Sequence, residues 1–148
     1  MLSLIIAGTR TFNDYRFFRD KCNHLLKNYL KFDTGKYRYN PQIEIISGSA
    51  KGPDSMAIDY AIYNFITYKE FPAKWDDLDV NHCVIRTNSF EKKYNLLAGT
   101  NRNIEMKDYA IRNGNGALLA FFDGKSKGTS HMIEISEKAG MNVRIVKV

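Results

Sequence analysis

The sequence IEIISGSAKGPDSMAIDYA, which runs from Ile43 to Ala61, decides the fold that we predict for this chain. Its first residues are mostly β-branched and apolar, which is typical of a buried parallel strand. Gly48 and Gly52 then bracket a short loop, and Pro53 follows at a position typical of a first helical turn. Apolar side chains recur beyond it at helical spacing. The stretch therefore predicts a strand, a loop and a helix whose N-terminus attracts anions.

A second stretch has the same organisation. LLAFFDGKSKGTSHMIEISEKAG, from Leu118 to Gly140, is again an apolar run, a loop and a helical pattern. The two loops, Gly48 to Gly52 and Gly124 to Gly128, both read G-x-x-K-G. Neither loop matches the Walker pattern or G-x-G-x-x-G, which disfavours a P-loop NTPase and an ordinary dinucleotide site. Each loop taken alone is equally well explained as a tight turn, but together they favour a phosphate site.

The composition predicts one domain that covers residues 1–148. A chain of 148 residues with 44% hydrophobic content has enough apolar side chains for a substantial core without a second domain. The net charge of +6 suits an anionic partner. Such a charge is common among soluble proteins, so it does not identify nucleic acid as that partner.

The cysteines and the start of the chain indicate a cytoplasmic protein. Cys22 and Cys83 lie far apart without neighbouring metal ligands, so we expect reduced thiols. The apolar run after Met1 is too short for a signal peptide or a membrane span, and we expect no membrane association. His82 lacks a second ligand at metal spacing, and we predict no metal and no cofactor.

The first strand is predicted from Leu2 to Ala7, ending at Gly8. Thr9 and Arg10 crowd the turn that follows, in a way that suits an anionic or ribose-bearing ligand. An exposed salt-bridge partner is the alternative for Arg10. Asn13 or Asp14 then caps a helix whose inner face carries Phe18, Cys22, Leu25, Leu26 and Tyr29.

Three further strands complete the predicted sheet, at Thr67 to Phe71, Ala117 to Phe122 and Asn142 to Val148. Because crossovers between parallel strands are right-handed, the order of elements predicts a single α/β domain of the Rossmann-like type. We expect a doubly wound, mainly parallel sheet of about five strands flanked by helices, with the ligand at the carboxyl ends of the strands.

Two segments are less regular. Asp76 to Asn95 is predicted either as an insertion that forms a lid or as a surface excursion with one short edge strand. Lys31 to Gln42 mixes basic residues and tyrosines, and we interpret it as an exposed connection. Binding of single-stranded nucleic acid is the less favoured alternative for that segment.

The helix from Ala98 to Arg112 begins with an unusual arginine. Arg102 and Asn103 are predicted in its first turn, after Gly99 and Thr100. The helix dipole disfavours a cation at this end unless an anion lies nearby. The pattern therefore places Arg102 beside an anion.

With these residues in view, the chain resembles the SLOG superfamily, specifically its small YspA-like, YpsA-related group. The resemblance covers most of the chain. It is carried by Gly8-Thr9-Arg10, by Ser47-Gly48 through Gly52-Pro53-Asp54 with Ala57, by Phe71-Pro72-Ala73 with Trp75, by Ala98-Gly99 with Arg102-Asn103 and Met106, and by Lys127-Gly128-Thr129. It implies a Rossmann-like fold that binds free nucleotides, ADP-ribose derivatives or, in DNA-processing protein A, single-stranded DNA. The fold does not select among these functions.

The Lonely Guy phosphoribohydrolases of this superfamily carry P-G-G-x-G-T-x-x-E, whose glutamate takes part in N-glycosidic cleavage. This chain has Phe122-Asp123-Gly124 in place of the paired glycines, and Glu134 is displaced along the helix. Asp54 and Asp123 are the remaining candidates for a catalytic carboxylate. The alternatives are that Asp54 is a helix N-terminal residue and that Asp123 hydrogen-bonds a ribose.

We therefore expect a protein that senses or sequesters a phosphate-rich nucleotide derivative, such as an ADP-ribose-type or cyclic nucleotide signal. The second hypothesis is a nucleoside 5′-monophosphate phosphoribohydrolase or another N-glycosidase, and the third is single-stranded nucleic-acid binding. A homo-oligomer is compatible with the sequence. The expected ligand contacts are Gly8, Thr9, Arg10, Gly48, Ser49, Lys51, Gly52, Asp54, Arg102, Asn103, Asp123, Gly124, Lys127, Gly128 and Thr129.

Overall fold

A computed structural model of the chain describes residues 1–28, 42–79 and 83–148. The strands in these ranges are β1 Leu2–Gly8, β2 Ile43–Ser47, β3 Thr67–Glu70, β4 Ile85–Thr87, β5 Lys93–Asn95, β6 Asn115–Phe122 and β7 Asn142–Lys147. The helices are α1 Tyr15–Leu25, α2 Pro53–Tyr63, α3 Ala98–Arg112 and α4 Lys127–Lys138. None of these helices combines the length and the apolar character needed to span a bilayer.

The main sheet confirms the predicted fold. Its five strands are all parallel and lie in the order β3-β2-β1-β6-β7. In the centre of the sheet, Ile5 of β1 lies between Ile46 of β2 and Leu118 of β6. The chain leaves β1 towards β2 on one side and later returns to β6 on the other. The strand order therefore reverses between β1 and β6, and this is where open α/β sheets bind ligands.

Helices cover both faces of the sheet, as the doubly wound prediction requires. Side chains alternate along β1, so Leu4 and Ile6 pack in the core under α1 and α2, whereas Ile5 and Ala7 pack under α3 and α4. Because the central strands are buried on both sides, their sequences are continuously apolar rather than alternating. Packed side chains thus support the central strands from both faces.

Helix α1 begins as predicted, with Asp14 rather than Asn13 as the cap. The Asp14 carboxylate accepts a hydrogen bond from the amide of Phe17 at 3.1 Å. Phe18 and Cys22 are fully buried on the inner face. Burial raises the pKa of the Cys22 thiol, so this free cysteine stays protonated in the core. Tyr29, which was predicted on the same face, lies outside the described residues.

Residues 85–95 form a hairpin, so the expectation of one short edge strand in the segment from 76 to 95 is wrong. Strand β4 pairs antiparallel with β5 in a separate two-stranded sheet, because β5 offers it a partner closer in sequence than the main sheet. Asn95 anchors the hairpin. Its amide donates to the carbonyl of Trp75 at 2.7 Å, and its side-chain oxygen accepts from the amides of Val84 and Leu97. A role as a mobile lid stays a prediction.

Two sequence interpretations fall on other parts of the chain. His82 and residues 31–41 of the basic and aromatic stretch lie outside the described residues.

Candidate functional site

A cleft of about 640 Å³ lies at the point where the strand order reverses. The turn after β1 forms its floor, from Ala7 to Thr11. The remaining lining comes from Ala50 of the first loop, from Asp54 of α2, from Trp75 and Leu96 beside the hairpin, from α3 between Gly99 and Met106, and from the chain between Asp123 and Met132. A volume of this size suits a ligand as large as a nucleotide. The cleft therefore lies at the carboxyl edge of the sheet, where this fold is expected to bind a ligand.

The structure brings most of the expected contacts into this one cleft. The predicted residues that line it are Gly8, Thr9, Arg10, Asp54, Arg102, Asn103, Asp123, Lys127, Gly128 and Thr129. The predicted residues that do not line it are Gly48, Ser49, Lys51, Gly52 and Gly124. The first G-x-x-K-G loop thus contributes only Ala50 to the cleft wall, whereas the second contributes most of its length.

The first loop is filled by the protein's own side chains. The carbonyl of Gly48 accepts a hydrogen bond from Nη1 of Arg102 at 2.5 Å. A Cβ atom added to Gly48 would collide with this guanidinium and with the carboxylate of Asp54. Ser49 has a φ of 60° and donates from Oγ to Glu70 at 3.2 Å, which directs it to the end of β3. Glycine is therefore needed at position 48 for packing within the protein, independently of any ligand.

The second loop is open. The Oδ1 atom of Asp123 accepts hydrogen bonds from the amides of Lys125 at 2.8 Å and Ser126 at 2.9 Å. These two bonds hold the pKa of the Asp123 carboxyl below its ordinary value. Ser126 caps α4 by accepting from the amide of Thr129. A Cβ atom on Gly128 would meet nothing within 4 Å. The start of α4 is thus accessible to a ligand.

Arg102 lies near an acidic side chain of the protein itself, the carboxyl of Asp54. Its role as a ligand contact stays a prediction. Helix α3 begins at Ala98, so Arg102 lies in its second turn rather than in the first as expected. Its charge lies close enough to Asp54 that each group stabilises the ionised form of the other. Burial outweighs this effect and lowers the pKa of Arg102. Arg102 therefore fastens α3 to the loop after β2.

Asp54 is a buried carboxyl in the first turn of α2. Burial raises its pKa from 3.8 to about 6, although Arg102 and the backbone amides of Ala50 and Gly8 oppose that shift. The hydroxyl of Ser47 donates to the Asp54 carbonyl at 2.7 Å and fixes the start of the helix. Asp54 is thus an N-terminal helix residue that also lines the cleft.

His131 is a cleft residue that the sequence interpretation missed. Because Nε of Arg102 can only donate, it binds the side-chain oxygen of Asn103, at 3.0 Å. The Asn103 amide nitrogen then faces the Gly128 carbonyl at 3.2 Å and Nδ1 of His131 at 3.1 Å. Nδ1 must accept, so the proton of the neutral ring is on Nε2. Burial lowers the pKa of His131, which favours this neutral form.

The helical spacing of His131 could have identified it as a neighbour of Gly128. Gly128, His131 and Met132 are three and four residues apart, so a helix presents them on one side. Glu134 lies three residues after His131 and raises the pKa of that ring against the larger effect of burial, but it is exposed and paired with Lys138 at 2.9 Å. It does not line the cleft.

Comparison of the chain with protein-family models, with curated proteins and with solved structures found no match. The chemistry of the cleft is therefore inferred from its lining residues. In the described part of the chain, no three His, Cys, Asp or Glu side chains come together in an arrangement that suits a metal ion.

The different surroundings of two glycines give the first testable prediction. We expect Gly48→Ala to lower the free energy of unfolding by about 1–3 kcal/mol, because the new Cβ displaces the Arg102 guanidinium and the Asp54 carboxylate. Gly128→Ala is the matched control. It lies in the first turn of α4 with no atom near the new Cβ, so we expect unchanged or slightly increased stability. Urea unfolding measures the free energy of unfolding of both variants. Equal losses of stability would contradict the conclusion that the first loop is packed and the second is open.

The buried Asp54 carboxyl gives the second prediction, a loss of stability as the pH rises. Its pKa of about 6 in the folded protein exceeds the ordinary value of 3.8, so the folded state holds the proton more tightly. The resulting stabilisation is complete below about pH 4 and is lost as the pH rises through about 6. The difference between the two pKa values corresponds to about 3 kcal/mol. We expect the free energy of unfolding of the wild type, minus that of Asp54→Asn, to fall by up to this amount between about pH 4 and 7.

Urea unfolding at several pH values measures this difference. The control is Asp59→Asn, which removes an exposed carboxylate from the same helix and should leave the decline in place. A difference between wild type and Asp54→Asn that stays constant with pH would show that the Asp54 carboxyl titrates normally.

Proposed function

We propose that the protein binds a phosphate-bearing nucleotide derivative in the cleft between β1 and β6, with the phosphates at the start of α4. The observation that carries this proposal is the open second loop, where Lys125, Lys127 and the first turn of α4 border the cleft. The first amides of a helix have no carbonyl partner within it, and the helix dipole adds a partial positive charge there. A phosphate can accept hydrogen bonds from such amides, and its negative charge is attracted by the dipole.

The charges around the cleft support an anionic ligand. Among the described residues, the side chains of Arg10, Lys125 and Lys127 form no ion pair. The carboxylates that line the cleft are already engaged, since Asp123 accepts from two amides and Asp54 lies close to Arg102. Lys125 and Lys127 are thus available to an anionic ligand such as a phosphate. Arg10 lines the same cleft, although its charge also acts on Asp54 and opposes the rise that burial causes in the pKa of that carboxyl.

Membership of the SLOG superfamily is part of this proposal. The blocks that carry the resemblance at Gly8, Asp54, Arg102 and Thr129 line the same cleft, although they lie far apart in sequence. An ADP-ribose-type or cyclic nucleotide signal fits the size and the charge of the site. The protein would then sense or sequester such a signal.

Removing one cation at α4 tests the site. We expect Lys127→Gln to weaken the binding of ADP-ribose roughly 10- to 100-fold, because one charge-assisted hydrogen bond to a phosphate is lost. The matched control is Lys138→Gln at the other end of the same helix, where the lysine pairs with Glu134 outside the cleft. Isothermal titration calorimetry measures both affinities.

Two results would contradict the proposed site. Equal losses in the two variants would indicate general electrostatic attraction instead of a phosphate site. Binding of oligothymidylates that tightens with their length and weakens steeply with salt would favour the single-stranded nucleic-acid hypothesis.

An N-glycosidase is the second candidate function, and the position of Asp54 favours it. A buried carboxyl with a pKa of about 6 that lines a ligand cleft has the character of a general acid or base. Against this role, backbone amides and the charge of Arg102 already hold the carboxylate. These contacts suit a structural carboxylate at least as well as a catalytic one.

Release of free base separates binding from catalysis. We expect chromatography to detect no free base when the purified wild type is incubated with AMP or ADP-ribose, because no free carboxylate occupies the position of the Lonely Guy glutamate. If the wild type releases base and Asp54→Asn does not, while still binding, the enzyme hypothesis replaces the binding hypothesis. The same assay with Asp123→Asn identifies which carboxylate is responsible.

A further inference from the structure

The cleft has an aromatic wall that the phosphate site leaves unused. Trp75, the chain's single tryptophan, lines the cleft together with Leu96, Gly99 and Met106. Trp75 is 37% exposed, although tryptophan has one of the largest side chains that a protein can bury. This wall is formed by the hairpin and α3, whereas Lys125 and Lys127 lie at the start of α4.

The indole ring is held in place without being covered. A Cβ atom on Gly99 would lie 3.3 Å from Cη2 of the indole, so the ring rests directly against the backbone of α3. Tyr94 of the hairpin packs edge to face against it, with ring centres 6.4 Å apart. The carbonyl of Trp75 accepts from the amide of Asn95 at 2.7 Å. The ring is therefore oriented before any ligand arrives, which lowers the entropic cost of stacking upon it.

We propose that Trp75 is the base-binding residue of this cleft, stacking on the aromatic base of a nucleotide whose phosphate lies at the start of α4. The inference rests on the proposed function, and it says which residue contacts the base of the same ligand. An indole face attracts any flat aromatic ring, and stacking tolerates different bases. The ligand class is thus a nucleotide with an intact base, as opposed to a sugar phosphate or pyrophosphate alone.

The hairpin acquires a role from this assignment. Asn95 fixes the hairpin to the chain on both sides of the cleft wall, through the carbonyl of Trp75 and the amide of Leu97. Leu96, which lies between these contacts, is 44% exposed and lines the cleft beside the indole. The hairpin of residues 85–95 therefore shapes the base end of the site.

The single tryptophan makes the inference directly measurable. We expect AMP to quench the intrinsic fluorescence of the protein, whereas ribose 5-phosphate binds without comparable quenching because it has no base to stack. Trp75→Leu should weaken AMP binding roughly 5- to 100-fold and leave the affinity for ribose 5-phosphate unchanged, as measured by calorimetry. Trp75→Phe keeps an aromatic face and should retain most of the affinity for AMP.

The outcomes distinguish this inference from the proposed function. Suppose that ribose 5-phosphate binds and that Trp75→Leu changes the affinities for AMP and ribose 5-phosphate by the same factor, or changes neither affinity. The base then does not stack on Trp75, whereas the proposed phosphate site is unaffected. If Trp75→Leu and Trp75→Phe lose stability and AMP affinity to the same degree, the indole only holds the hairpin against α3 and the inference is wrong. If the wild type binds none of AMP, ribose 5-phosphate and ADP-ribose, the proposed function fails and this inference fails with it.

Discussion

The arrangement of the site depends on one contact, the hydrogen bond from Arg102 to the carbonyl of Gly48 beside the buried carboxyl of Asp54. It joins α3 to the loop after β2 across a distance of 54 residues in sequence. A half-buried guanidinium and a buried carboxyl each lose hydration, and their proximity offsets part of that cost. Because Arg102 also orients Asn103, and Asn103 orients His131, this contact fixes α4 as well.

The two G-x-x-K-G loops show how the same local pattern takes on different roles. In the first, the carbonyl of Gly48 and the space above it are occupied by Arg102 and Asp54. In the second, the polar groups are satisfied locally by Asp123 and Ser126, which leaves the space around Gly128 empty. The difference comes from side chains elsewhere in the chain. A short motif therefore predicts a turn at a helix start, and tertiary contacts decide whether that turn is open to a ligand.

The fold was predictable because it depends on local patterns. Continuous apolar runs such as Ile43–Ser47 specify strands buried on both faces, and their alternation with helices specifies a parallel sheet. The cleft was predictable only in part. Its glycine turns follow strand ends and were found, whereas the hairpin contact of Trp75 and the link from Asn103 to His131 join segments that are distant in sequence or irregular. No periodicity encodes such pairs.

The hydrogen-bond partners of Asp54 and Asp123 help to distinguish ligand binding from catalysis in the cleft. Asp123 gives one oxygen to two backbone amides, and these bonds favour its ionised form. Asp54 faces amides and Arg102, so its donors also belong to the protein. A general acid or base needs a free route to the substrate proton. Among the described residues, the side chains of Lys125 and Lys127 beside the start of α4 form no ion pair, so they remain free to attract an anion. These contacts support the proposal that the cleft binds a phosphate, and they argue against proton transfer by either carboxylate.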